Sequence, residues 1–427
     1  KRAMLILFLV FPACASRPAF EASPMPVAPA PEVEVEATVE GAEAAATEPE
    51  KETGPIVLDI PGAVALAVKE NPDVGVAAAR IMAAEQGVAE ARSGFYPSID
   101  LGFGYIHSND PVVVFMQKLW QRDLSFDTDF NNPGSSGNFK LSARLSWLLW
   151  DGGRRDAYEG MAETATLIEK DAREAILNAL KASVITTSLS IYEADEFILV
   201  AEDSVKLVTE QLRISKSRFD AGAAQRSDVL TVEVRLAEAR EALVRARNGK
   251  KRYLTALRNL LGLEHDRQFE LAPDPGFQVP PVTDGDLIPL ALANRPELKK
   301  ARDAIRAAQQ GVDREKADRM PALSAFGSYD LNAADLQFGF DKDAYSVGLS
   351  LDYNAFDGHR TRSRIAAAEA RVREARAMER KTALMVEEDL TRARLNLGEA
   401  NERIGVREKS AEAADEALSL IRARYET

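Results

Sequence analysis

The chain has 427 residues, of which 46% are hydrophobic, 28% charged and 7% aromatic, with a formal net charge of −13. That is apolar material enough for a folded protein, but no Lys/Arg stripe rises above the acidic background, which argues against a nucleic-acid partner. The lone cysteine allows no internal disulfide. His107, His265 and His359 lie too far apart for a metal site or a catalytic triad, so no catalytic, metal or cofactor residue is expected.

The chain opens like an export signal over residues 1–15. Lys1 and Arg2 form a basic start, and Met4 to Phe11 form a short apolar core. Ala13-Cys14-Ala15 matches a small-residue cleavage site, whereas Phe-Pro-Ala-Cys matches a lipobox that would make Cys14 a lipidated first residue. The sequence is compatible with both routes. A first residue of Lys rather than Met is expected of a slightly clipped start. Residues 16–54 are Pro, Ala and Glu with few large apolar side chains, the composition of a flexible leader. Beyond the signal, no apolar run approaches the roughly 20 residues of a transmembrane helix. The mature chain therefore spans a membrane by strands or not at all.

The remainder repeats itself. Trp150-Asp151-Gly152-Gly153-Arg154 opens a helical run ending at Arg218-Phe219, and Phe356-Asp357-Gly358-His359-Arg360 opens another ending at Arg424-Tyr425. Both ends recur 206 positions later (151 to 357, 218 to 424). Upstream, Asn71-Pro72, Gln86-Gly87-Val88 and Tyr96-Pro97 recur as Arg295-Pro296, Gln310-Gly311-Val312 and Met320-Pro321, at an offset of 224 (72 to 296). Repetition on this scale means one supersecondary unit used twice. The first spans residues 55–265: a helix from about Leu58 to Phe95, strands at 98–107 and 138–150, a long helix at 154–220 and a return helix at 226–262. A linker follows at 266–283. The second spans 284–427: a helix, strands at 322–331 and 345–356, and a long helix at 360–427.

The long runs keep a 4,3 apolar spacing. Leu180, Val184, Thr187, Ile191 and so on to Phe219 match Val386, Leu390, Ala393, Leu397 and so on to Tyr425. One heptad register in both copies predicts coiled-coil seams, rich in alanine for close helix approach. In the strand segments the period changes to two: Phe139, Leu141, Ala143, Leu145 and Trp147 alternate with polar residues, as do Tyr345, Val347, Leu349 and Leu351. All three tryptophans (Trp120, Trp147, Trp150) fall in the first strand region, as interfacial aromatics would. The segment from about 108 to 137 reads as a loop, with a turn cluster at Asn131-Asn132-Pro133-Gly134. Strands with one apolar face fit a half-buried sheet on a soluble core or a membrane barrel, and the helices, committed to their own seams, leave little apolar surface to cover a sheet, which favours the barrel. Four strands cannot close a barrel, and open edges are not tolerated in lipid, so if these strands span a membrane several chains must share one barrel.

Asp151-Gly152 and Asp357-Gly358 mark the strand-to-helix junctions, where Asp can cap a helix and Gly frees the backbone. Arg218-Phe219-Asp220-Ala221-Gly222, followed by Arg226-Ser227-Asp228-Val229-Leu230, reads as a tight helical hairpin. This ordered set, within a double repeat covering residues 56 to 427, resembles the TolC-type outer membrane efflux protein family. The segment from Asp110-Pro111 to Asn132-Pro133 is similar to the first extracellular loop of many members. The resemblance implies a mainly helical fold with membrane strands: a homotrimer with a shared outer-membrane β-barrel of twelve strands in lipid and a periplasmic tunnel of twelve long helices. It also implies a periplasmic adaptor and an inner-membrane pump or ABC transporter as partners. The activity implied is passive conduction of drugs, metals or polypeptide to the exterior, with no cofactor. Gly222, Arg226 and Asp228 would sit at the periplasmic tip and meet the adaptor. The acidic gate residues of the second hairpin would follow Thr427, since the counterpart of Asp228 falls near 434 (228 plus 206), so a C-terminally truncated chain is expected. A coiled-coil envelope scaffold or adhesin is the alternative, but it has no need of two strand pairs placed alike in each repeat.

Overall fold

A computed structural model describes residues 56–276, apart from 126, 128 and 130, and residues 287–426. The signal at 1–15 with Cys14, the leader up to 54 and the linker segment 277–283 lie outside the described residues.

The first unit runs β1 (Ile56–Leu58), α1 (Ile60–Glu70), α2 (Pro72–Ser93), β2 (Ser98–Ser108), α3 (Pro111–Trp120), β3 (Ser136–Trp150), α4 (Arg154–Asp220) and α5 (Arg226–Leu260). After β4 (Phe269–Leu271) comes the second: α6 (Leu287–Asn294), α7 (Pro296–Ala317), β5 (Ala322–Ala333), β6 (Asp343–Asp352) and α8 (Arg360–Glu426). Both α4 and α8 are 67 residues long, about 100 Å at ~1.5 Å per residue.

Three expectations need correction. The single helix from Leu58 to Phe95 is two, because Pro72 at the first helical position cannot continue α1. Asn71 takes the break: its side chain accepts from Asp73 N at 2.8 Å and donates to Leu260 O at 2.9 Å. Within the linker, β4 forms a short strand that pairs in parallel with β1, Ile56 opposite Phe269. The supposed loop 108–137 contains α3, so Trp120 sits on a helix and not on a strand.

The core lies where α1, α2, α4 and α5 converge on that two-stranded patch. Ala63, Ala67, Leu177, Val184, Ile191, Leu257 and Leu261 are buried together with Phe269. Each fully buried Leu or Ile there contributes on the order of 1.5–3 kcal/mol. Close approach is enforced at Gly262, where a Cβ would stand 2.4 Å from Glu70 O and φ is +69°. A smaller cluster of Val312, Ala368 and Val372 joins α7 to α8.

The heptad seam behaves differently in the two copies. Along α4, Leu180, Val184, Ile191 and Ala194 are buried, and Ile198 to Ser215 are half-buried. Along α8 the seam is covered at Val386 and Leu390, then exposed from Ala393 onward among the described residues. By length and composition α4 is also apolar enough to cross a membrane, which the sequence reading did not anticipate. Its seam positions face the neighbouring helices, whereas Phe197, Leu199, Val200 and Leu207 on the same helix are exposed.

The strands β2, β3, β5 and β6 form one antiparallel sheet in that order. Leu101 faces Ala143, Ala143 faces Tyr329, and Tyr329 faces Tyr345. All helices except α3 leave from one end of this sheet; α3 and the β5–β6 turn lie at the other.

Candidate functional site

The site of a conduit is its wall, and three parts of this chain are built as wall. The first is the sheet. Its pleat sends Ile99, Leu101, Phe103, Tyr105, Leu141, Leu145, Val347, Leu349 and Leu351 to one face, where Leu101 is 78% and Val347 77% exposed. A bare apolar face this large is not stable in water and marks a membrane or partner surface. The opposite face is polar. Ser98 Oγ meets Ser146 Oγ at 2.7 Å, Ser328 Oγ meets Ser346 Oγ at 2.8 Å, and Lys140 pairs with Asp330 at 3.1 Å. Strands of 10 to 15 residues suit a bilayer crossing. Among the described residues nothing pairs with the outer edges of β2 and β6.

The second part is the pair of strand-to-helix junctions. Asp151 is 6% exposed, and its carboxylate accepts from Arg155 N and Nε, both at 3.1 Å. Arg155 also donates to Gly94 O at 2.9 Å and to Leu148 O at 2.6 Å. One guanidinium thus ties the end of α2, the end of β3 and the start of α4. At Gly152, φ is +71° and a Cβ would stand 2.4 Å from that of Met320, so glycine is required twice over. In the second junction Asp357 accepts from Thr361 N at 2.7 Å and Thr361 Oγ at 2.5 Å. The Thr361 hydroxyl and backbone N–H, with Arg360 adding less, hold the Asp357 carboxyl below its ordinary range. Gly358 and His359 both take positive φ, at +67° and +71°. Arg155 has no arginine counterpart, because Thr361 stands 206 positions on. Its role was not read from the sequence; that mismatch was the available signal.

The third part is the α4–α5 hairpin. Gly222 reverses the chain at φ +73° with open space around it, and Ala223 N closes on Arg218 O at 2.8 Å. Asp228 Oδ2 accepts from Gln225 N at 3.0 Å, capping its own helix. Arg226 is exposed at the tip. Lys216 and Glu233 pair across the two helices at 3.1 Å. Gly222, Arg226 and Asp228 therefore share one end of the molecule, far from the junction residues. Among the described residues no group of three His, Cys, Asp or Glu side chains could hold a metal ion.

The model of the outer membrane efflux protein family matches residues 63–263 and 287–427. Protein CyaE of Bordetella pertussis is 27% identical over 360 residues, covering 83% of this chain and 70% of that protein. The pyoverdine export outer membrane protein OpmQ of Pseudomonas aeruginosa is 24% identical over 367 residues, covering 84% and 74%. The crystal structure of a membrane protein from Pseudomonas aeruginosa superposes with a TM-score of 0.74 at 22% identity, covering 91% of this chain and 89% of that one. The chain belongs to the outer membrane efflux protein family, and it is an outer-membrane channel component with a large periplasmic helical part, of the kind that serves efflux and type I secretion systems.

Proposed function

We propose that three copies of this chain close one β-barrel and one helical tunnel, through which cargo crosses passively to the exterior. The observation that carries this reading is the four-stranded sheet with a bare apolar face, a polar face and two unpaired edges. In lipid every edge must be paired, and β2 of one copy can pair with β6 of the next in a closed head-to-tail ring. The apolar face then meets outer-membrane lipid and the polar face lines water. The protein works with a periplasmic adaptor and an inner-membrane pump or ABC transporter, which supplies the energy. The conduit performs no chemistry on its cargo.

Gly222, Arg226 and Asp228 form the adaptor-facing tip in this reading. Support for that placement is their position at the end of α4 and α5 farthest from the sheet. Arg226 is free to meet a partner, while Asp228 is engaged in capping.

Single-channel recording in planar bilayers, with the mass of the detergent-solubilised assembly, tests the proposal. A trimeric particle with discrete conductance steps is expected. A monomeric protein recovered from the soluble fraction, without conductance, overturns it.

A further inference from the structure

The connection between β2 and β3 runs from residue 109 to 135, against residues 334 to 342 between β5 and β6, although an antiparallel hairpin needs only a few residues. The longer connection is ordered into α3. Asp110 caps it, accepting from Val112 N at 2.8 Å, with Pro111 at the first helical position. Val114, Gln117 and Gln121 form its buried side, at 2%, 1% and 1% exposure.

Two glutamines this deeply buried have to be explained, and their partners explain them. Gln117 Nε2 donates to Ile106 O at 3.2 Å. Gln121 Nε2 donates to Gly137 O at 2.7 Å and to Asn138 Oδ1 at 3.0 Å, and Asn138 Nδ2 donates to Asn332 Oδ1 at 2.9 Å. Asn138 and Asn332 share the polar face with Lys140, whose Nζ stands 5.9 Å from the centre of the Trp120 ring. The helix is therefore seated on the polar face of the sheet, at the end opposite the long helices. Among the described residues no donor reaches Gln117 Oε1 or Gln121 Oε1. The seat is specific but incompletely satisfied, which suits an element that can lift.

We propose that α3 is a lumenal collar: three copies of it narrow the exit of the barrel, and the Gln121–Asn138–Asn332 hydrogen bonds latch it down and set the size of solute that leaves. The inference rests on the channel reading above, because only in a closed barrel does the polar face become a lumen. A collar at the exit discriminates by bulk and not by charge, since it is held by amides and backbone carbonyls and its own cations are paired, Lys118 with Asp123 at 2.8 Å and Arg122 with Asp343 at 3.8 Å.

Polyethylene glycols of graded size, added to one side of the bilayer at a time, probe each mouth separately. In the double variant Gln121→Cys/Asn138→Cys, the oxidised channel is expected to keep the wild-type polymer cutoff at the exit. After reduction, with both latch amides gone, the exit cutoff is expected to shift to larger polymers while the tunnel-side cutoff stays unchanged. Replacing residues 111–122 with a short Gly-Ser link is expected to give the same exit-side shift without any redox dependence. Conducting channels whose exit cutoff is identical in oxidised, reduced and replaced forms overturn the collar. A wild-type protein that never conducts overturns the channel reading instead. If the replaced variant does not assemble, the comparison of oxidised and reduced cysteine pair decides within one protein.

Discussion

The guanidinium of Arg155 lies 4.8 Å from the centre of the Phe95 ring, and through that contact the end of α2 is bound to the start of α4. The same side chain holds three polar partners, so its loss leaves the largely buried Asp151 with only the more distant Arg154, at 3.9 Å, as counter-charge. Arg155→Ala is expected to cost about 2–4 kcal/mol, since an almost buried carboxylate loses its close ionic partner and the carbonyls of Gly94 and Leu148 lose their donor. Thermal unfolding of the solubilised assembly checks it. An Arg155→Ala transition within a degree of wild type sinks the idea of a clamp.

Glycine is needed at the two junctions for different reasons. At Gly152 the strained φ coincides with a clash against Met320, whereas Gly358 has nothing within 4 Å. Gly358→Ala is expected to cost about 1 kcal/mol, the penalty of a left-handed residue alone. Gly152→Ala is expected to cost more, and Gly152→Ala/Met320→Ala to recover part of the loss. A double variant no better than the single shows that the clash is not the cause.

Titration separates two carboxylates by sign. Asp357, held low by Thr361, contributes stability above the ordinary carboxylate range that disappears as pH falls through its lowered pKa. Asp171 on α4 is pushed up by burial and then by Asp303 on α7, so the protein gains stability as pH falls through that raised pKa. The Thr361→Val variant is therefore expected to be less stable than wild type at neutral pH, with the gap closing in acid. Asp171→Asn is expected to be more stable at neutral pH, with its advantage shrinking in acid. Melting temperatures across the acid range test both, and parallel curves for wild type and Thr361→Val refute the first.

The long helices and the alternating strands were legible because periodicity survives without tertiary context. The run from Arg154 to Phe219 contains no proline, and period-two alternation marks which strand residues share a face. The helix α3 was illegible because Val112-Val113-Val114-Phe115 is strongly β-prone and turn residues follow it closely. The hidden signal was the stripe Val114, Gln117, Gln121, whose 3,4 spacing is helical although two of its members are polar. Likewise the 4,3 seam located one face on both α4 and α8, but spacing carries no information about what covers that face. Leu257 on α5 is fully buried, whereas Leu397 on the α8 seam is 39% exposed. Leu257→Ala is accordingly expected to cost about 2–5 kcal/mol as a cavity, and Leu397→Ala well under 1 kcal/mol. Denaturant unfolding of this chain tests the contrast, and equal losses would show that the α8 seam is covered in solution.

At the hairpin, capping and docking make opposite demands on neighbouring residues. Asp228 spends its carboxylate on Gln225 N, so Asp228→Ala is expected to weaken the start of α5 by about 0.5–2 kcal/mol, as lost helix caps do. Arg226 caps nothing, so Arg226→Ala is expected to leave the melting temperature unchanged. If the tip meets an adaptor, Arg226→Glu reverses a charge at the contact and lowers export in cells, while assembly and bilayer conductance stay at wild-type levels. Drug susceptibility or secreted-cargo assays, run beside trimer yield, read these separately. Unchanged export in Arg226→Glu with normal trimer yield removes Arg226 from the docking surface. A loss of export in Asp228→Ala that tracks its loss of stability assigns that residue to folding alone.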